Sequence, residues 1–154
     1  MSQRYIDLLS KRGVELNDIG ECVLFLQRKY YPDLTMENCI EAIHSVLAKR
    51  EVQNAIMTGI FLDESAESMK MEDDELAKLL NEDDGLYGID EVLAYGICNL
   101  YGSIALTNYG YIDKVKPGII EKLNDKSGKQ CNTFLDDIVG AIAASAASRI
   151  AHNR

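Results

Sequence analysis

Almost nowhere in this chain do apolar and polar residues alternate with the period of two that a half-buried strand needs, which leaves helices as the building material. Cysteine is sparse and unpaired in sequence. Cys22, Cys39, Cys98 and Cys131 show no C-x-x-C spacing and no histidine pair nearby, so neither a zinc site nor a dithiol redox motif is encoded. Three of them, Cys22, Cys39 and Cys98, fall in helical apolar patterns and read as small core residues of a reduced compartment. Histidine occurs only as His44 and His152. His44 reads as a surface or partly buried helix residue, and His152 as a cation where a helix C-terminus favours one. There is no Gly-rich nucleotide loop and no Ser-x-Gly elbow, which removes the mechanisms built on them. Positive charge is also short: 16 Lys and Arg stand against 25 Asp and Glu, a net charge of −9. A nucleic-acid backbone or an anionic membrane surface would repel such a chain, so its partner is expected to be small, cationic or metal-bridged. The opening Met-Ser-Gln-Arg-Tyr-Ile-Asp has no apolar leader, and the expected location is the cytoplasm.

What is present is apolar sequence at helical spacing. With 154 residues, 47% of them hydrophobic, the chain can bury one core, and residues 1–154 read as a single helical domain. Ile6, Leu8 and Leu9 open a short helix that Gly13 ends, and Asn17-Asp18 supplies a turn and cap before a helix from Ile19 to Tyr30. Pro32 stops it. Thr35 caps the next helix without the Glu or Gln of a full capping box, ahead of Cys39, Ile40, Ile43, Val46 and Leu47. A further stripe runs through Val52, Ala55, Ile56, Gly59, Ile60 and Leu62, followed by a polar acidic stretch from Asp63 to Glu75. The reading is an all-α fold, a compact bundle of about six helices around a central small-residue-rich helix.

Two long stretches carry no charge. The 21 residues from Val92 to Ile112 match a bilayer span in length, but Asn99, Ser103, Thr107, Asn108 and three glycines make them too polar and broken for one. The segment is expected instead to be the central helix of a bundle, and no transmembrane segment is expected elsewhere. Ile138 to Ser148 is the second stretch, rich in alanine. At the entrance of each stands an acidic pair, Asp90-Glu91 and Asp136-Asp137. Two accounts fit such pairs: helix starts, where carboxylates meet free N–H groups and the dipole, or ligands of a hard cation such as Mg²⁺. If Ala94, Cys98, Gly102 and Ala105 pack against the alanine face of the last helix, the pairs share one end only where the two helices run nearly parallel. Between the stretches lie Asp113 and Lys116, with Pro117 expected to hold Lys116 extended, where it could meet a phosphate oxygen. A local exposed ion pair is the plainer account of those two.

The segments Gly88-Ile-Asp90-Glu91-Val, Asp113-Lys-Val-Lys116-Pro117-Gly-Ile and Phe134-Leu-Asp136-Asp137-Ile-Val-Gly-Ala resemble, in order and spacing, the blocks of the phosphatidylglycerophosphatase A family. More closely, the chain is similar to that family's soluble bacterial branch, whose members include proteins named for low-temperature requirement. The resemblance covers residues 55–152 and leaves residues 1–50 as N-terminal helices outside the pattern. It implies a Mg²⁺-dependent phosphatase that removes the terminal phosphate of phosphatidylglycerophosphate. It further implies Asp90, Glu91, Asp136 and Asp137 as metal-binding or catalytic residues, Asp113 in the same acidic cluster, and Lys116 on the phosphate. The chain departs from the family in lacking the glycine-proline-rich N-terminal block and the membrane spans of its membrane-bound members. A soluble phosphate ester, or a lipid headgroup at the membrane surface, is then the expected partner. A spare carboxylate would act as general base or as nucleophile, and the sequence leaves both open. The rival class is a non-catalytic or regulatory metal-binding helical oligomer. Self-association is expected on either reading, as a homodimer or tetramer, with Tyr30, Tyr31, Tyr101 and Tyr109 suited to a partly wet interface.

Overall fold

In a computed structural model that describes residues 2–153, the chain is helical throughout, with no strand among the described residues. The helices are α1 (Gln3–Lys11), α2 (Leu16–Gln27), α3 (Met36–Leu47), α4 (Arg50–Glu67), α5 (Asp74–Glu82), α6 (Ile89–Cys98), α7 (Ser103–Val115), α8 (Ile119–Asn124) and α9 (Leu135–His152). Local chemistry sets their starts. Thr35 Oγ1 accepts from the Asn38 N–H at 3.1 Å while Asn38 Oδ1 accepts from the Thr35 N–H at 3.2 Å, so an asparagine completes the capping box at α3. At α2 the cap is Glu15, with Asp18 closing the box, so the helix begins three residues before Ile19.

The central helix is α9, and this corrects the expectation for Val92–Ile112. From Leu135 to Ser148 every residue of α9 is buried, charged pair included. Its alanines let α2, α3, α4, α6, α7 and α8 all pack against it. The Val92–Ile112 run is instead two helices that turn back on themselves, because Gly102 takes a φ of 94°, which favours a residue without Cβ. Only one side of the pair is covered. Ala94, Ile97 and Cys98 of α6 and Ala105, Tyr109 and Ile112 of α7 are buried, while Val92, Tyr95, Leu106 and Tyr111 are exposed.

The direction of the two helices follows from their contacts. Cys98 Sγ lies 3.9 Å from the Ala141 carbonyl, and Ser148 Oγ donates to the Tyr101 carbonyl at 3.2 Å, so α6 climbs alongside α9 in the same sense. The parallel arrangement required for a shared carboxylate end is therefore met. Tyr101, just before α7, meets Ser148, Tyr109 and Ile112 flank Gly140, and Asp113 lies by Asp137, so α7 descends antiparallel to α9. Consequently the start of α6, the end of α7 and the start of α9 meet at one end of the bundle.

Close approach of α4 completes the frame. A Cβ on Gly59 would stand 2.3 Å from Ile138 Cδ1 and 3.1 Å from the Phe134 Cβ, so glycine is what lets α4 lie against the first turns of α9. The acidic stretch read from Asp63 onward is helical as far as Glu67, and Asp63 is fully buried. No helix among the described residues is long and apolar enough to cross a membrane.

Candidate functional site

The first turn of α9 has no cap of its own, since Phe134 offers no side-chain oxygen. Asp63 of α4 supplies the cap from across the core. Its Oδ1 accepts from the Phe134 N–H at 3.0 Å and its Oδ2 from the Leu135 N–H at 2.9 Å. The preceding loop is pinned on both sides. Arg12 donates to the Cys131 carbonyl at 2.6 Å and to both carboxylate oxygens of Glu67, and Glu67 accepts from the Cys131 N–H at 2.6 Å. Thr133 Oγ1 donates to the Leu80 carbonyl at 2.5 Å. These bonds fix where Asp136 and Asp137 emerge, both about nineteen-twentieths buried, at 6% and 5% exposure.

Around that turn gather the other acids. The carboxyl groups of Asp137 and Asp90 are neighbours, brought together from the first turns of α9 and α6. Burial first, then the charge of Asp136, and then Asp90 and Asp113 push the Asp137 carboxyl well above the usual carboxylate range. Asp136 is raised as well, by burial and then by Asp83 and Asp113, with Lys116 opposing. Glu91 is raised by burial and by Asp90 and Asp113. All six residues singled out in the sequence, Asp90, Glu91, Asp113, Lys116, Asp136 and Asp137, therefore lie within electrostatic reach of one another at one end of the bundle. Lys116 Nζ is 3.4 Å from Asp113 Oδ1, with both side chains about one-third exposed.

Backbone geometry marks the same place. Lys116 is the C-cap of α7 with φ 54° and ψ 57°, left-handed and not the extended form expected before Pro117. Asp83, the C-cap of α5, has φ 50° and ψ 55°. Non-glycine residues in this region cost roughly 1 kcal/mol or more, and both border the carboxylates.

Sequence reading missed four contributors. Asp83, which nothing in the sequence sets apart, has its carboxyl raised by burial and lies among Lys126, Asp90, Lys116 and Asp113. Lys126, 3.8 Å from Asp83 Oδ2, also went unremarked. Tyr109, expected at an interface, is buried at 1% exposure beside Asp137; burial and that neighbour raise its hydroxyl, which has no hydrogen-bond partner of ordinary geometry among the described residues. Asp63 had a legible signal. It follows Ile56, Gly59 and Ile60 at helical spacing, a lone charge on an apolar stripe.

The donor set suits a hard cation: oxygen ligands only, more acids than bases, and an orphaned buried hydroxyl. Among the described residues no three such side chains converge as a ready cage. An ion here would be held by one or two carboxylates plus water, which is the usual coordination of Mg²⁺.

The model of the phosphatidylglycerophosphatase A family matches residues 19–152. The chain belongs to that family. The match takes in α2 and α3 and so reaches further toward the N-terminus than the blocks recognisable by eye. The chain is 61% identical over 144 residues to the uncharacterized protein YutG of Bacillus subtilis, covering 94% of this chain and 86% of the relative. Among solved structures, the low temperature requirement C protein of Listeria monocytogenes aligns with a TM-score of 0.95 at 56% identity, over 99% of this chain and 95% of that one. A protein of unknown function from Bacillus stearothermophilus aligns with a TM-score of 0.96 at 59% identity, over 99% and 94%. The family thus extends here to a helical bundle with no membrane-crossing helix among its described residues.

Proposed function

We propose that the protein is a Mg²⁺-dependent phosphatase of phosphate monoesters, with phosphatidylglycerophosphate as substrate and phosphatidylglycerol as product. The observation that carries this reading is the meeting of Asp90 and Asp137 from two helices, with Asp113 and Lys116 returned to the same end by a third. A phosphate monoester resists attack because its negative charge repels nucleophiles. Asp90, Glu91, Asp136 and Asp137 would hold Mg²⁺ through one or two of their carboxylates and water, and the ion would neutralise that charge and lower the pKa of bound water. Lys116, the one base that opposes the acids at Asp136, binds a phosphate oxygen. The Tyr109 hydroxyl, raised by burial and by Asp137 and left without a partner of its own among the described residues, would donate to a bound phosphate. A carboxylate of the cluster then serves either as base toward water, which displaces the alcohol from phosphorus, or as nucleophile, which displaces the alcohol to give an acyl phosphate that water hydrolyses; inversion at a chiral phosphorus marks the first and net retention the second.

Phosphate release from phosphatidylglycerophosphate and from soluble esters, with Mg²⁺ and with chelator, tests the proposal. Release from the lipid that needs Mg²⁺ and is lost in Asp137→Asn supports it. Release only from soluble esters would move the substrate away from lipid, and binding of Mg²⁺ without turnover of any ester would favour a regulatory metal-binding role.

A further inference from the structure

The outer sides of α6 and α7 carry no charged residue from Val92 to Ile112, and this face is bounded by Glu91, by Lys114 and by Lys29, whose ammonium lies over the Tyr111 ring. Nothing in the described chain covers it. Val92 is 61% exposed and Tyr111 48%, and Tyr95, Ile104 and Leu106 share the exposure. Six large side chains, with Val115 past Lys114 at the end of α7, are thus left open on one side of the hairpin, apolar material of the kind that forms the core of an interface. Gly96 and Gly110 lie on the same face, and a Cβ on either would meet nothing within 4 Å. Glycine weakens a helix, and nothing inside the chain asks for it at these two positions.

We propose that this face binds the same face of a second copy, giving a symmetric dimer in which the two α6–α7 hairpins cross at the glycines. Charge selects this occupant. Each copy carries −9, so most surfaces repel their own image, and a two-fold interface sets like against like. The uncharged face is where two copies meet without that repulsion. An anionic bilayer is repelled by the same net charge, and Val92 to Ile112 offers no Lys or Arg to draw one in. The proposal stands apart from the phosphatase reading, because nothing in it depends on turnover.

Sedimentation velocity of the full chain at micromolar concentration is the test. The expected wild-type mass is twice the chain's 17.2 kDa, falling to 17.2 kDa in Ile104→Glu and in Gly110→Leu with helical circular dichroism unchanged. Gly110→Leu places a better helix former in open space, so it carries the test if Ile104→Glu fails to fold. Phe61→Glu, on the exposed side of α4, is expected to remain dimeric. A wild type at 17.2 kDa, or a dimer that survives both face variants, overturns the proposal. So does a monomeric wild type that floats with phosphatidylglycerol vesicles and loses this in Ile104→Glu.

Discussion

Asp90 and Asp137, at the first turns of two parallel helices, bring their carboxyl groups side by side at one end of the bundle. Helix starts tolerate acids singly because free N–H groups and the dipole offset their charge. Two starts placed side by side, one of them carrying a second buried acid, exceed what those terms offset. The surplus negative charge is the physical reason to look for a cation.

If Mg²⁺ binds the native state only, it raises the melting temperature by mass action. At a hundredfold excess over Kd the gain is about 2.7 kcal/mol, or a rise of about 5–10 °C for a domain of this length. Asp137→Asn is expected to lose most of that rise while folding at least as well without the ion, since it removes a repelling charge. Differential scanning calorimetry with and without Mg²⁺ checks this, and an unchanged response in the mutant takes Asp137 out of the site.

Lys116 combines a functional charge with an unfavourable backbone. Lys116→Gly relieves the left-handed conformation, so the protein should melt no lower than wild type. Its phosphate-release activity should fall by tenfold or more, with KM raised and the Mg²⁺ melting shift retained. A loss of the Mg²⁺ shift would mean that Lys116 organises the carboxylates and does not bind the phosphate.

Much of this arrangement was legible in the sequence, for identifiable reasons. The acid pairs at the heads of uncharged segments survive folding as neighbours because both segments pack along their small residues, a pattern visible as Ala94, Cys98 and Ala105 against Ala141 and Ala144. The all-helical class followed from periodicity. Which segment is central did not, because an uncharged run signals either burial in the core or a face left open, and hydrophobicity alone does not separate the two. Asp83 and Tyr109 escaped for another reason. A loop acid and a helix tyrosine look ordinary until α5 and α7 are folded against the start of α9.

Asp63 offers a test of electrostatics in the core. Arg12, Glu67, Cys131 and the Tyr87 phenol surround it, and burial raises its carboxyl to about 7, against the two N–H donors and Arg12. The folded value lies above the ordinary 3.8, so between the two the native chain holds a proton the unfolded chain has released. Stability from this group is therefore present below pH 4 and lost as pH rises toward 7. Asp63→Asn, which leaves one N–H facing an amide NH₂, costs about 1–3 kcal/mol. That cost should shrink between pH 4 and pH 7 in urea titrations, and a cost that grows would show the N–H donors outweighing burial.

Gly59→Ala probes the joint between α4 and α9. The new methyl meets Ile138 Cδ1 and the Phe134 Cβ, so a loss of about 1–3 kcal/mol is expected in place of the gain that alanine usually brings to a helix. Urea midpoints measure it. A stabilised variant would mean that the helices separate at little cost and that the start of α9 is not held by packing.

The cap that reaches α9 from α4 also makes the site's integrity observable without any substrate. The amide hydrogens of Phe134 and Leu135 are held by a side chain 72 residues or so distant in sequence, not by a carbonyl of their own helix. Their exchange with solvent deuterium reports the α4–α9 joint opening, not fraying of α9. A chain in which α9 keeps its interior protection while these two amides exchange quickly still has its helix, but the turn that presents Asp136 and Asp137 has come loose.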